Sequence, residues 1–121
     1  MILKAHERGR LAEDTALSYL TRQGLTLLER NYRSRLGEID LIMRDRDITV
    51  FLEVRARTNT TVIETMETID TKKQQRIILA SQHYLQNNRP SSQDIYRFDV
   101  ILLTGILQAP RIEWIKNAFE A

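Results

Sequence analysis

Apolar residues recur with helical spacing over the first part of the chain. Ala12, Ala16, Tyr19 and Leu20 fall at i, i+4, i+7 and i+8, and Leu17 widens the stripe. The spacing predicts a helix over "HERGRLAEDTALSYLTRQG", closed by Gly24, a residue suited to the left-handed geometry that ends helices. Glu13 shares a face with Leu17 and Leu20, so it belongs at the edge of the buried stripe. Beyond Gly24 the pattern tightens. "LTLLERNYR" reads as a strand, and Gly37 then opens "EIDLIMR", with Ile39, Leu41 and Met43 on one face and Glu38, Asp40 and Ile42 on the other. After the polar turn "RDRD" (44–47), "ITVFLEVRA" places Ile48, Val50, Leu52 and Val54 on one face. Thr49, Phe51, Glu53 and Arg55 take the opposite face, and the two runs predict a β-hairpin.

Directly opposed residues of an antiparallel pair point to the same face. With a two-residue turn at Asp45-Arg46 or Arg46-Asp47, paired residue numbers sum to 91 or 93. Either register brings Asp40 and Glu53 to one face, diagonal in the first and directly opposed in the second. A three-residue turn would part them, because a one-residue slip flips a strand's faces.

The segment "TNTTVIETMETI" (58–69) has no clear period. "DTKKQQRIILASQHYLQNN" predicts a second helix capped by Asp70 or Thr71, with a capping box from Thr71 to Gln74 and an apolar face of Ile77, Ala80 and Tyr84 flanked by Ile78 and Leu85. "NNRPSSQD" ends it. "YRFDVILLTG" is apolar enough for the centre of a sheet, and "RIEWIKNAF" after Pro110 is a last short strand or turn of helix. The expected fold is one α/β domain spanning 1–121, with a mixed sheet flanked by helices in the order α-β-β-β-α-β-β.

Composition narrows the chemistry. The 121 residues are 42% hydrophobic and 28% charged, ordinary for a soluble globular domain. With no cysteine, disulfides and thiolate metal sites are excluded, and a reducing cytoplasm is the expected location. Charges come too early in "MILKAHERGR" for a signal peptide, and the run "VILLTGIL" (100–107) falls short of the roughly 18 residues of a membrane span. The net charge of +2 is mild. "RNYRSR" (30–35), however, gathers three arginines and a tyrosine without an acid, a composition able to hold phosphates and stack a base. A solvated loop between two strands accounts for it more simply.

A carboxylate within a buried strand is normally paired, hydrogen-bonded or metal-bound. Asp40 and Glu53 therefore admit two readings: ion pairs with Arg55, Arg57 or Arg97 across the sheet, or a divalent-cation site. Two hard oxygen donors, completed by a backbone carbonyl and waters, suit Mg²⁺ or Mn²⁺. Asp99 in its apolar strand is expected to pair with a basic side chain, Arg55 being a candidate. His6 and His83 have no spacing that nominates a histidine site, and Trp114 between Ile112 and Ile115 reads as packing against the sheet.

A strand carboxylate followed, after a spacer, by Glu-hydrophobic-Lys resembles the PD-(D/E)XK nuclease superfamily, here as Asp40 and then Glu53-Val54-Arg55. More widely, "GRLAEDTALSYL", "RNYRSRLGEIDLIMRD", "FLEVRAR", "RFDVILL" and "IEWIKNAF" resemble the YraN family of small bacterial proteins over about Gly9 to Phe119. That resemblance implies a restriction-endonuclease-like core related to archaeal-type Holliday-junction resolvases. It implies Asp40, Glu53 and the Val54 carbonyl as metal ligands and Glu13 as an additional acid. Lys73 and Arg76 become phosphate contacts. Arg55 stands where the superfamily places lysine, and a guanidinium stays protonated while clamping phosphate bidentately. Ala12 stands where relatives carry glycine, and their Phe-Gly after the third strand has no counterpart in "TNTTVIETM".

The expected function is Mg²⁺- or Mn²⁺-dependent hydrolysis of phosphodiesters by a nuclease, on DNA in preference to RNA and on branched structures. Glu13, Asp40, Glu53 and Arg55 would form the catalytic group, and Arg33, Arg35, Lys73 and Arg76 would bind the nucleic acid. A homodimer is expected only by analogy with resolvases. The alternative is a non-catalytic nucleic-acid-binding or protein-interaction module on the same scaffold.

Overall fold

A computed structural model describes residues 3–88 and 95–121. Eight elements follow one another: α1 (Ala5–Arg22), β1 (Thr26–Arg33), β2 (Glu38–Asp45), β3 (Ile48–Arg57), α2 (Val62–Thr68), α3 (Thr71–Asn87), β4 (Tyr96–Thr104) and β5 (Arg111–Phe119). The five strands form one sheet in sequence order, antiparallel except for the parallel pair β3–β4, whose crossover carries α2 and α3. The expected mixed sheet is present, and the last segment is a strand. Residues 89–94 of "NNRPSSQD" lie outside the described residues.

The helices bury opposite faces of the sheet, as the alternation of β3 requires. Ala16 and Leu20 of α1 pack on Leu41, Met43, Val50, Leu52 and Ile101, while Ile77, Ala80, Tyr84 and Leu85 of α3 pack on Ile42, Phe51 and Phe98. Each fully buried Leu, Ile or Phe contributes about 1.5–3 kcal/mol, so the two clusters hold both layers to the sheet. Gly24, at φ 101°, ends α1 in the left-handed geometry its residue type favours. The N-cap of α3 is Asp70, whose Oδ1 accepts from the Lys73 N–H at 2.9 Å; Gln74 reaches the Ile69 carbonyl instead of closing a box with Thr71.

One helix escaped the periodicity. With seven residues, α2 is too short for an apolar stripe. Its signal lay at its start, where Thr61 Oγ1 accepts from the Glu64 N–H at 3.1 Å and donates to Glu64 Oε1 at 3.0 Å, a Thr-x-x-Glu capping box.

β4 is buried along most of its length, as its composition suggested. Asp99 in its middle is 1% exposed and accepts from Arg97 Nε at 3.1 and 3.0 Å, Trp114 Nε1 at 2.9 Å and the Asn117 N–H at 3.0 Å. Its partner is therefore Arg97, two residues along the same strand face, and not Arg55. Arg97 also donates to Asp45 at 2.9 Å, tying β4 to the end of β2. Removing one partner of such a buried pair strands the other's charge, at about 3–5 kcal/mol. Asp99→Ala is expected to lose stability on that scale in urea unfolding.

Candidate metal and nucleic-acid site

The site forms where β2 and β3 part. Their ladder runs from Asp45↔Ile48 to Leu41↔Leu52, a register summing to 93. The turn is thus Arg46-Asp47, with Arg46 at φ 59°. Past Leu41 the ladder stops, and the Asp40 side chain replaces the backbone: Oδ2 accepts from the Val54 N–H at 2.8 Å. The alternation of β2 slips at the same point. Ile39 packs with Ile42 and Phe51 under α3, whereas Leu41 and Met43 pack under α1, so Ile39 does not share their face as regular spacing predicted.

The Asp40 and Glu53 carboxyl groups approach each other here. Burial pushes the Asp40 carboxyl up to about 8, and the negative charges of Glu53 and Glu13 push the same way against the opposing Val54 N–H. The neutral form of Asp40 is thus favoured well above the usual carboxylate range. Glu53 is 6% exposed, and its Oε2 lies 2.8 Å from Arg55 Nη2 and 3.6 Å from Lys73 Nζ. Arg55 is accordingly the counter-ion of Glu53. Of the ion pairs open to the two carboxylates on sequence grounds, Glu53–Arg55 forms, while Asp40 bonds to backbone and to Glu53.

Two clefts flank the pair. On the α1 side, a cleft of about 380 Å³ is lined by Glu13, Asp40 and Val54, together with Arg8, Ala12 and Arg57. Glu13 reaches it from α1 and lies 3.5 Å from Arg30, which also pairs with Asp14 at 2.8 Å. On the α3 side, a cleft of about 280 Å³ is lined by Arg33, Arg35, Lys73 and Arg76, with Ser34, Gly37 and Glu38. All four residues expected to bind nucleic acid therefore line one cleft. Gly37 holds it together, since a Cβ there would lie 2.3 Å from the Arg76 carbonyl oxygen, and only glycine lets the 34–37 loop approach α3 this closely. Ser34 fastens the loop, its N–H donating to the Gly37 carbonyl at 2.9 Å.

The basic run divides differently from either expectation. Arg30 and Arg33 belong to β1, so it is not simply a loop. Arg30 is committed to α1, and Tyr32 packs edge-on against Tyr84 and hydrogen-bonds His83 Nδ1, which leaves no free ring for a base. Only Arg33 and Arg35 face the cleft. Sequence reasoning passed over Arg8 and named Arg57 only as a possible ion-pair partner of the carboxylates. Arg8 precedes buried Ala12 by four residues, a weak signal until α1 was placed over β3.

The donor set fits a hard divalent cation. The carboxyl groups of Asp40 and Glu53 converge without an intervening base, and Val54 lies beside them. Among the described residues no three His, Cys, Asp or Glu side chains converge to hold an ion unaided. That suits Mg²⁺, which takes one or two carboxylates and completes its shell with water and substrate phosphate.

Fold and site together define an α/β protein with a five-stranded mixed sheet and a carboxylate pair between two basic-rimmed clefts. The chain belongs to the family described as "Uncharacterised protein family UPF0102", whose model matches residues 12–103. This is the family that the YraN resemblance indicated. A "UPF0102 protein" of Stutzerimonas stutzeri is 44% identical over 118 residues, 98% of both chains. One from Legionella pneumophila (strain Corby) is 45% identical, covering 95% of this chain and 96% of the relative, and one from Coxiella burnetii is 45% identical, covering 90% and 88%. Among the described residues no helix is long and apolar enough to cross a membrane.

Because the folded pKa of Asp40 lies above its unfolded value of about 3.8, the folded state binds the extra proton between them. Its stabilisation is intact below pH 4 and declines as pH rises toward 8. Asp40→Asn keeps an acceptor for the Val54 N–H and stays neutral. The variant is expected to match the natural protein in urea midpoint near pH 4 and to exceed it at pH 8.

Proposed function

We propose that the protein is a divalent-cation-dependent nuclease with a restriction-endonuclease-like core, hydrolysing phosphodiesters of DNA in preference to RNA. The observation that carries this reading is the Asp40–Glu53 contact at the mouth of the β2–β3 split, directly beside a cleft lined by Arg33, Arg35, Lys73 and Arg76.

Asp40, Glu53 and the Val54 carbonyl would hold Mg²⁺ or Mn²⁺. When bound, that cation activates water and neutralises charge on the phosphate. Arg55 grips Glu53 Oε2 and so aims the other carboxylate oxygen; as a guanidinium it stays protonated and takes no proton from water. Lys73 touches the same carboxylate while lining the basic cleft, which places a cation between the carboxylates and the bound phosphates. Glu13 adds negative charge on the α1 side. On a branched substrate, cutting both strands would engage two copies.

The engagement of Glu53 by Arg55 favours a second reading, a non-catalytic nucleic-acid-binding module. The two separate on one assay: branched, flap and single-stranded DNA, and RNA, incubated with Mg²⁺ or Mn²⁺. The nuclease reading expects cleavage that EDTA abolishes and that Asp40→Ala lowers at least about 100-fold, the scale of removing one charge interaction made in the transition state. Salt-sensitive binding indifferent to EDTA and to Asp40→Asn, with no cleavage of any substrate, would establish the module instead.

A further inference from the structure

We propose that the nucleic-acid backbone is gripped on both sides of the carboxylates, with Arg8 and Arg57 forming a second phosphate-binding site in the α1-side cleft. This rests on the functional reading above and adds a site that the reading does not need.

The cleft of about 380 Å³ runs from Asp40 and Glu13 outward to Arg8 and Arg57. Its floor along α1 is Ala5, Gly9 and Ala12, at i, i+4 and i+7, so no large side chain blocks approach to the helix. Arg8 is exposed and, among the described residues, enters no ion pair. Arg57 is fixed by its backbone, whose carbonyl accepts from the Gly105 N–H at 3.0 Å. Its Nη1 donates to the Ala56 carbonyl at 2.8 Å, and the remaining guanidinium donors face outward on an exposed side chain. The acids of this cleft do not cancel the two cations, for Glu13 is shared with Arg30 and Asp40 with Glu53 and the Val54 N–H.

The two clefts lie against helices on opposite faces of the sheet, and the carboxylates sit between them where β2 and β3 part. A small anion would fill one cleft only. A polymer with repeating phosphates crossing the β2–β3 split meets Arg33, Arg35, Lys73 and Arg76 on one side of the carboxylates, and Arg8 and Arg57 on the other. The ligand class is thus a continuous nucleic-acid strand, held upstream and downstream of the bond to be cut.

The test is anisotropy of a fluorescein-labelled single-stranded DNA oligonucleotide in EDTA, over a series of KCl concentrations. It compares the full chain with Arg8→Ala/Arg57→Ala, Arg33→Ala/Arg35→Ala, Arg8→Lys/Arg57→Lys and, at the far end of α1, Arg22→Ala. On a single strand, removing one phosphate-binding cation lowers the slope of log affinity against log salt by about 0.7. Arg8→Ala/Arg57→Ala is expected to weaken binding roughly tenfold and to flatten the slope by about 1.4. The lysine pair should restore the slope, and Arg22→Ala should change neither quantity. Unchanged affinity and slope in Arg8→Ala/Arg57→Ala, with weakened binding in Arg33→Ala/Arg35→Ala, would overturn the second site and leave the functional reading standing. Absence of salt-dependent binding by the natural chain would overturn both.

Discussion

Everything at the candidate site depends on one hydrogen bond, from the Val54 N–H to Asp40 Oδ2. Elsewhere β2 and β3 are joined backbone to backbone; here a side chain satisfies the amide while the strands separate. A buried amide left unpaired would cost about 1–3 kcal/mol, so the carboxylate stabilises the split as well as occupying it. The split lets Ile39 turn under α3, opens the α1-side cleft beside Val54, and brings Asp40 against Glu53. Structure and proposed chemistry therefore draw on the same atoms.

The electrostatics around the pair are unequal by side. Glu53 carries Arg55 and Lys73 on one oxygen, whereas Asp40 pairs with no cation among the described residues and its carboxyl is pushed up to about 8. This asymmetry explains how two carboxylates tolerate contact inside the fold, and it identifies the group that a bound cation would have to displace. It also gives Arg55 a structural task. The difference between lysine and arginine at this position matters less when another cation, Lys73 from α3, reaches the same carboxylate.

Much of this was legible in sequence, because hairpin parity is a strict constraint. With a two-residue turn, parity put Asp40 and Glu53 on one face, although the ladder stops at Leu41 and their approach is made beyond it. The apolar density of β4 marked it as an interior strand. Residue type narrowed the cap of α3 to Asp70 or Thr71, and the structure uses Asp70. Features that depend on packing between distant segments were not legible. Arg30 looked available until α1 supplied Glu13 and Asp14, and Tyr32 looked able to stack until α3 supplied Tyr84 and His83. The slip at Ile39 was hidden because period-2 reading assumes an unbroken ladder. The pairing of Asp99 with Arg97 was within reach, since the two share a strand face two residues apart. The position of Arg8 in a cleft with Asp40 required the placement of α1 over β3.

On the function proposed above, Asp40 would exchange the proton of its raised carboxyl for a divalent cation held jointly with Glu53. Calorimetric titration of the protein with Mn²⁺ at pH 7, in two buffers of different ionisation enthalpy, tests that exchange most directly. Metal ligands must be deprotonated, so binding releases the protons they held. One Mn²⁺ per chain and release of close to one proton are expected, with both abolished in Glu53→Gln. Binding without proton release, or binding unchanged in Glu53→Gln, would contradict the exchange.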